Sequence, residues 1–172
     1  MSEVRILGIG SPSGDDQAGW LTIDALLAGG VHTKADEMLI QKLDRPGAHL
    51  ITLLDDAAWV ILIDAMQSRD AVGHIRRFGA DDWPAYSQGL SSHGFGVLDA
   101  LALARELGSL PHRLDLYGIE IGSANPGEPA GNEIHAAAQQ LARNIAADLT
   151  TALAQARPGH PTQSRQLAIE SR

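Results

Sequence analysis

The 172-residue chain contains no cysteine, few aromatic residues and no long apolar run. The absence of cysteine excludes disulfide bonds, thiolate metal ligands and a cysteine nucleophile. Because no apolar run approaches about 18 residues, the sequence predicts no membrane-spanning helix. The first residues also lack the basic and apolar stretches of a signal peptide, so we expect a cytoplasmic protein.

Positive charge is also scarce, with 13 Lys and Arg against 21 Asp and Glu and a formal net charge of −8. Since no cluster of Lys and Arg reverses this charge locally, nucleic acid is not expected as a partner. The length fits one domain with its own core. We predict a single, monomeric α/β domain over residues 1–156. A disordered tail is predicted over residues 157–172, where apolar residues are few.

Strand-like and helix-like segments alternate along the chain. Residues 4–9 and 59–63 are almost continuously apolar, which predicts interior strands buried on both faces. Further strands are predicted over 37–43, 73–78 (nearer an edge of the sheet) and 113–121. Helices are predicted over 17–27, 47–54, 95–107 and 132–156. This order predicts a three-layer α/β/α sandwich with a mostly parallel central sheet of about five strands.

Three stretches place polar residues just after predicted strands. Asp15 and Asp16 follow the first strand, Asp64 ends the apolar run from residue 59, and His93 stands at the start of a helix. The carboxyl ends of parallel strands lie at one edge of a sheet, so we expect Asp16, Asp64 and His93 to meet there. Two carboxylates and an imidazole can form a metal site or an acid/base centre, and the residues alone leave both open.

Each of these residues also has a simpler interpretation. Acidic residues suit a helix N-terminus, although this explains one of Asp15 and Asp16 better than both. Asp64 could cap the turn that follows it, yet a carboxylate after an apolar run is unfavourable to bury without a partner. A lone histidine is usually structural or exposed, but a helix N-terminus would keep His93 neutral and able to bind metal. Glu120 follows another predicted strand and is a hydrogen-bond acceptor behind the site residues, a wall of the site or a charged residue at a loop mouth.

A glycine-rich loop after the first strand can also bind the phosphates of a nucleotide. Here Ser13 stands where the dinucleotide fingerprint needs its last glycine, and Asp15 and Asp16 occupy the position that a phosphate would approach. The two negative charges disfavour a nucleotide-binding domain.

The order and spacing of these blocks resemble the hydrogenase maturation proteases, which remove the C-terminal extension from the large subunit of [NiFe] hydrogenases. The resemblance spans about residues 4–153. The blocks that carry it are Gly8-Ile9-Gly10-Ser11 with Asp15, Asp16 and Gly19, then Asp64-Ala65 with Gly73, then Ser91-Ser92-His93-Gly94, and finally Gly118-Ile119-Glu120 with Pro126-Gly127. Two positions depart from the family pattern: Ser11 replaces an asparagine, and Arg69 replaces a turn glycine.

The resemblance implies an aspartyl-type endopeptidase in which Asp16, Asp64 and His93 are both the catalytic residues and the residues that surround nickel. The family often has glutamate at the first position, so Asp16 would reach less far, and Asp15 is its competitor as a ligand. The nickel is expected to arrive on the hydrogenase large-subunit precursor rather than to be held tightly by the free enzyme. The resemblance leaves open whether nickel or the carboxylates supply the catalysis.

A second function is compatible with the same resemblance. The chain could be a non-catalytic maturation chaperone or scaffold that binds the same precursor, and the departures at Ser11 and Arg69 favour this alternative slightly. Cleavage of a precursor would separate the two functions.

Overall fold

The computed structural model describes residues 3–33, 37–79, 81–83 and 96–156. Within these residues the strands are β1 (Val4–Gly10), β2 (Met38–Asp44), β3 (Trp59–Met66), β4 (Ile75–Phe78) and β5 (Arg113–Glu120). The helices are α1 (Ala18–Ala28), α2 (His49–Leu54), α3 (Val97–Leu107) and α4 (Asn132–Ala156), and a 3₁₀ turn (Gly14–Gln17) lies between β1 and α1. None of the helices in these ranges is long and apolar enough to cross a membrane.

The strands form one sheet in the order β2-β1-β3-β5-β4. Strands β1, β2, β3 and β5 are parallel, and β4 pairs with β5 in the antiparallel direction. The predicted interior strands are confirmed, since β1 and β3 lie inside the sheet and every residue of β3 is buried. The antiparallel direction of β4 was not predicted. It follows from the connection over residues 67–74, which is shorter than the roughly twelve residues that a parallel crossover needs.

Helices cover both faces of the sheet, which confirms the predicted α/β sandwich. One apolar cluster joins β1, β3 and β5 to α1 and α4, and a second joins them to α2 and α3. Successive residues of a strand point to opposite faces. Ile61 and Ile63 belong to the α1–α4 cluster and Leu62 belongs to the α2–α3 cluster. Asp64 has the same parity as Leu62, so its side chain lies on the α2–α3 face.

The N-terminal end of α1 lies directly on the sheet because it carries Gly19. A Cβ atom at Gly19 would stand 2.2 Å from the carbonyl oxygen of Ile9 and 2.6 Å from that of Ile63. A Cβ atom at Gly8 would stand 2.5 Å from the carbonyl oxygen of Gly19. Only glycines allow this approach. The contact holds the preceding 3₁₀ turn against the carboxyl ends of β1 and β3.

A buried ion cluster lies toward the amino end of β5. Asp115 is 5% exposed, and its carboxylate accepts hydrogen bonds from Trp59 Nε1 at 2.8 Å, Arg77 Nη2 at 2.8 Å and Arg113 Nε at 3.0 Å. Two guanidinium groups therefore balance one buried carboxylate, which fits the rule that buried charges are paired. The cluster joins β3, β4 and β5 at the end of the sheet remote from the 3₁₀ turn.

The domain limits proposed from the sequence stay a prediction. The described part of the chain ends at residue 156, the last residue of α4. The tail predicted over residues 157–172 lies outside the described residues.

Candidate active site

Asp16 and Asp64 lie at the same edge of the sheet. Strands β1 and β3 are adjacent and parallel, with Gly8 opposite Ile63. Asp16 belongs to the 3₁₀ turn that follows β1, and Asp64 lies near the carboxyl end of β3. The third predicted site residue, His93, lies outside the described residues. Helix α3, which was expected to follow His93, begins at Val97 and packs on the face that carries the Asp64 side chain.

The Asp64 carboxylate is held in a buried position, with 1% of the residue exposed. Its Oδ1 accepts a hydrogen bond of 2.9 Å from the backbone amide of Ala65. Its neighbour across the sheet on β5 is Gly118, which contributes no side chain beside the carboxylate. The Ala65 amide therefore helps to fix the orientation of the Asp64 carboxylate.

Asp16 is partly exposed and is oriented by Ser11. The Ser11 hydroxyl donates a hydrogen bond to Oδ2 of Asp16, and the Ser11 amide donates to the carbonyl oxygen of Asp16 at 3.3 Å. Ser11 itself is only 4% exposed. The residue that departs from the family pattern thus supplies a polar contact to the predicted ligand and occupies one of its two carboxylate oxygens.

Arg45 brings a positive charge to the Asp16 side of this edge. It follows β2, and its amide donates to the carbonyl oxygen of Gly10 at 3.2 Å. The hydrogen bond from Arg45 Nε to Asp44 Oδ1, at 2.7 Å, is the main cause that raises the pKa of Arg45, and the negative charge of Asp16 adds to it. The guanidinium of Arg45 is therefore a positive charge beside the carboxylates of this edge.

Asp15 has a different environment from its neighbour Asp16. It is 7% exposed, and its Oδ2 accepts hydrogen bonds from the amides of Gly122 at 2.9 Å and Ser123 at 3.2 Å. Its Oδ1 accepts a hydrogen bond of 2.8 Å from the amide of Gly131. Both oxygens of Asp15 are thus bound to backbone amides of residues 121–131, which we call the β5–α4 loop. Of the two aspartates, Asp16 is the one that a ligand can reach.

Glu120 anchors the turn that follows β3. Its carboxylate is 2% exposed and accepts hydrogen bonds from the Ser68 amide at 2.9 and 3.0 Å, the Ser68 hydroxyl at 2.8 Å and the Arg69 amide at 3.1 Å. Glu120 is thus an acceptor, one of the roles expected from the sequence, but its donors belong to a turn and not to the predicted site residues. The carboxylate holds the end of β3 against β5, two residues beyond Asp64.

The anchoring roles of Asp15 and Glu120 have no local signal in the sequence. The amides that bind Asp15 lie 107 to 116 residues away, and those that bind Glu120 lie 51 and 52 residues away. A pattern of neighbouring residues reports only local structure, so it does not distinguish an aspartate that binds distant amides from one that faces a ligand.

The donor atoms at this edge suit a borderline transition metal. Asp16 and Asp64 offer carboxylate oxygens, and a histidine at position 93 would add an imidazole nitrogen, a set that nickel accepts. Among the described residues, no group of three His, Cys, Asp or Glu is arranged to hold a metal ion. The described part of the site therefore provides at most two of the three predicted donors.

The sequence also matches a family model. The model described as HycI, hydrogenase maturation protease, matches residues 45–148, which is more than half of the chain. The chain belongs to the hydrogenase maturation protease family. The match includes Asp64 and His93 and begins after Asp16. The resemblance inferred from the sequence is thus confirmed, and so is the expectation of a hydrolase of the endopeptidase class.

Solved structures of similar fold carry related descriptions. The hydrogenase maturating endopeptidase HybD from E. coli is 23% identical, with a TM-score of 0.75, over 87% of this chain and 93% of that chain. The [NiFe] hydrogenase maturation protease HycI from Thermococcus kodakarensis is 22% identical, with a TM-score of 0.64, over the same shares of 87% and 93%. At these identities the likeness shows that the maturation protease shares their fold. No curated protein sequence matches the chain significantly.

Proposed function

We propose that this maturation protease removes the C-terminal extension from a [NiFe] hydrogenase large-subunit precursor after nickel has been inserted. One observation carries the proposal: in a chain of this family, Asp16 and Asp64 stand at the carboxyl ends of two adjacent parallel strands. This is the edge at which α/β sheets bind their ligands. His93 is proposed as the third residue of the site.

The nickel in this proposal belongs to the substrate. Two carboxylates and one imidazole, without a thiolate, leave a transition metal with an incomplete shell. A nickel centre that already has ligands from the precursor would complete its coordination shell with these three donors. Recognition then depends on the metal that the precursor carries, so cleavage follows nickel insertion and never precedes it.

The residues of the site have separate tasks in the hydrolysis. Asp64 is buried and fixed by the Ala65 amide, which suits a group that docks the metal-bearing substrate in one orientation. Asp16 is partly exposed and oriented by Ser11, which suits a carboxylate that, once released from the metal, takes a proton from the attacking water. The hydroxyl group of the water adds to the carbonyl carbon of the scissile amide, the C–N bond then breaks, and the proton held by Asp16 passes to the departing amine.

The rival function as a non-catalytic chaperone relied on the departures at Ser11 and Arg69. Ser11 retains a hydrogen bond to Asp16. Arg69 adopts a φ of 69°, the conformation for which glycine is favoured, with its amide bound to Glu120. Both residues thus take part in hydrogen bonds at this edge of the sheet, so neither departure supplies a physical reason for lost catalysis.

The proposal also includes a location, an oligomeric state and a partner. We propose that the protein acts in the cytoplasm as a monomer, with the large-subunit precursor as its partner. Its net charge of −8 disfavours nucleic acid as a partner.

The deciding experiment incubates the purified protein with nickel-loaded and nickel-free precursor and measures the mass of each product. We expect the mass of the C-terminal extension to be lost only from the nickel-loaded precursor. Stable binding of both precursors without any change in mass would favour the chaperone. Equal cleavage of both would refute the dependence on nickel.

A further inference from the structure

We infer that Asp15 is the positioning residue for Asp16: it fastens the 3₁₀ turn to the β5–α4 loop and thereby sets where the Asp16 carboxylate stands. The inference rests on the proposed function, because it assigns Asp16 to the cleavage. Asp15 itself touches neither substrate nor metal in this assignment.

The fastening consists of five hydrogen bonds across the junction. Three join the Asp15 carboxylate to the amides of Gly122, Ser123 and Gly131. Two more join the backbones: the Asp15 amide donates to the Ser123 carbonyl oxygen at 2.7 Å, and the Gly14 amide donates to that of Glu128 at 3.0 Å. Hydrogen bonds to a charged acceptor are about twice as strong as neutral ones, so the carboxylate dominates the junction.

The turn and the loop are also in direct van der Waals contact. Gly14 has a φ of 51°, and a Cβ atom there would stand 2.6 Å from the carbonyl oxygen of Ser123. The two backbones therefore cannot approach further, while the Asp15 carboxylate prevents them from separating. The position of the turn is limited from both sides.

The hydrogen bonds of Asp15 also limit the backbone position of Asp16, because Asp16 is the next residue in the chain. Consecutive Cα atoms are about 3.8 Å apart, so a shift of Asp15 displaces Asp16 by a similar amount. The aspartate side chain is one methylene shorter than a glutamate side chain, which leaves less reach to compensate. A misplacement of about 1 Å in a catalytic group can lower a rate about 100-fold.

The test compares Asp15→Asn with Asp115→Asn as a matched control. Both substitutions neutralise a buried carboxylate with several donors, but Asp115 belongs to the ion cluster toward the amino end of β5. Both carboxylate oxygens of Asp15 accept hydrogen bonds from backbone N–H groups. In Asp15→Asn the side-chain NH₂ group replaces one of these oxygens, so a donor would face a donor. Circular dichroism would establish a temperature at which both variants and the wild type are fully folded.

We expect kcat/KM for nickel-loaded precursor to fall about 10- to 100-fold in Asp15→Asn and to stay within about twofold of wild type in Asp115→Asn. Amide hydrogen exchange of Gly122, Ser123 and Gly131, measured without substrate, should be slow in wild type and fast in Asp15→Asn only. An unchanged kcat/KM in fully folded Asp15→Asn would overturn the inference. So would an equal fall in both variants.

A double mutant separates positioning from general structural support. Ser11 contacts Asp16 directly. If Asp15 acts through Asp16, the two substitutions should not act independently. The fold-reduction in kcat/KM of the double mutant Ser11→Ala/Asp15→Asn should then be at least about fivefold smaller than the product of the two single-mutant reductions. For the control double mutant Ser11→Ala/Asp115→Asn, the fold-reduction in kcat/KM should equal the product of the two single-mutant reductions. Simple multiplication in both pairs would refute the positioning role, whereas failure of the wild type to cleave would refute the proposed function instead.

Discussion

The amide of Arg69 donates a hydrogen bond of 3.1 Å to Oε1 of Glu120, and Arg69 is held at a φ of 69° by this contact. A non-glycine residue in the left-handed region has its Cβ atom too close to the backbone. The buried carboxylate of Glu120 therefore maintains a turn that the side chain of Arg69 disfavours. The turn connects β3 to β4, directly after the strand that carries Asp64.

Replacing Arg69 by glycine should stabilise the protein. Glycine adopts a positive φ without steric penalty, and this gain exceeds the entropy that glycine adds to the unfolded chain. We expect the free energy of unfolding of Arg69→Gly to exceed that of Arg69→Ala by about 1 kcal/mol, as measured by urea denaturation. The alanine variant is the matched control because it removes the guanidinium but keeps the Cβ atom. Equal stability of the two variants would contradict the strain at this position.

The contact of Gly19 with the sheet predicts a large effect for a single methyl group. Gly19→Ala should lower the free energy of unfolding by about 2–3 kcal/mol, since its Cβ atom would stand 2.2 Å from a backbone oxygen that has no freedom to move. Gly29→Ala, at the other end of α1, is the control. Its Cβ atom would stand 3.3 Å from the nearest atom, so its stability should stay within about 1 kcal/mol of wild type. Similar losses in both variants would show that close packing is not the cause.

The sequence predicted the layers of the fold because burial leaves a periodic pattern. Strands β1 and β3 were identified from their apolar runs, and their observed ends, Val4–Gly10 and Trp59–Met66, lie within three residues of those predicted. The strand order was not predicted, since apolar periodicity reports how a segment is buried and not which segment lies beside it. The direction of β4 depends on the short connection that precedes it, which apolar periodicity does not report either.

The candidate site was predictable to the extent that it depends on strand ends. Asp16 and Asp64 stand at one edge because two parallel strands end there, and the sequence contains that information. The separate roles of Asp15 and Asp16 were not predictable. The two residues are chemically identical neighbours, and only distant amides of the β5–α4 loop distinguish them.

Tyr117 should ionise well above the usual range. Burial raises its pKa from 10.0 to about 12, although the nearby Arg77 opposes the shift. The folded protein thus favours the neutral phenol, and the resulting stabilisation is complete below pH 10.0 and is lost as the pH rises toward about 12. The measurement is the near-ultraviolet absorbance of tyrosinate in Tyr86→Phe, which leaves Tyr117 as the remaining tyrosine. A midpoint near pH 10 with native circular dichroism would contradict the prediction.

The purified protein should contain well under one transition metal ion per chain. Asp16, Asp64 and His93 provide two carboxylates and one imidazole, and one Asp16 oxygen already accepts a hydrogen bond from Ser11, so this donor set is weaker than the histidine-rich sets that retain zinc in enzymes. Elemental analysis by mass spectrometry after dialysis against a chelator would measure the content. Stoichiometric nickel or zinc that survives the dialysis would show that the metal is resident in the enzyme and not brought by the substrate.

Substitution of the proposed metal ligands should abolish cleavage without unfolding the domain. Asp64→Asn keeps the shape of the side chain and removes the anionic ligand, and His93→Ala removes the proposed nitrogen donor, so neither variant should process nickel-loaded precursor. Asp55→Asn and His135→Ala are the matched controls. Both residues are exposed, Asp55 at the end of α2 and His135 on α4, and their substitution should leave the rate unchanged.

The assay is the mass of the precursor after incubation, with circular dichroism of every variant as the folding control. Asp64 is buried, so a loss of activity counts only for protein that retains the wild-type spectrum. Because asparagine retains an oxygen that can bind metal weakly, Asp64→Ala should be at least as inactive as Asp64→Asn. Full activity in Asp64→Asn would refute the role of the carboxylate charge. Full activity in His93→Ala would remove the histidine from the site and leave the two aspartates as a carboxylate pair.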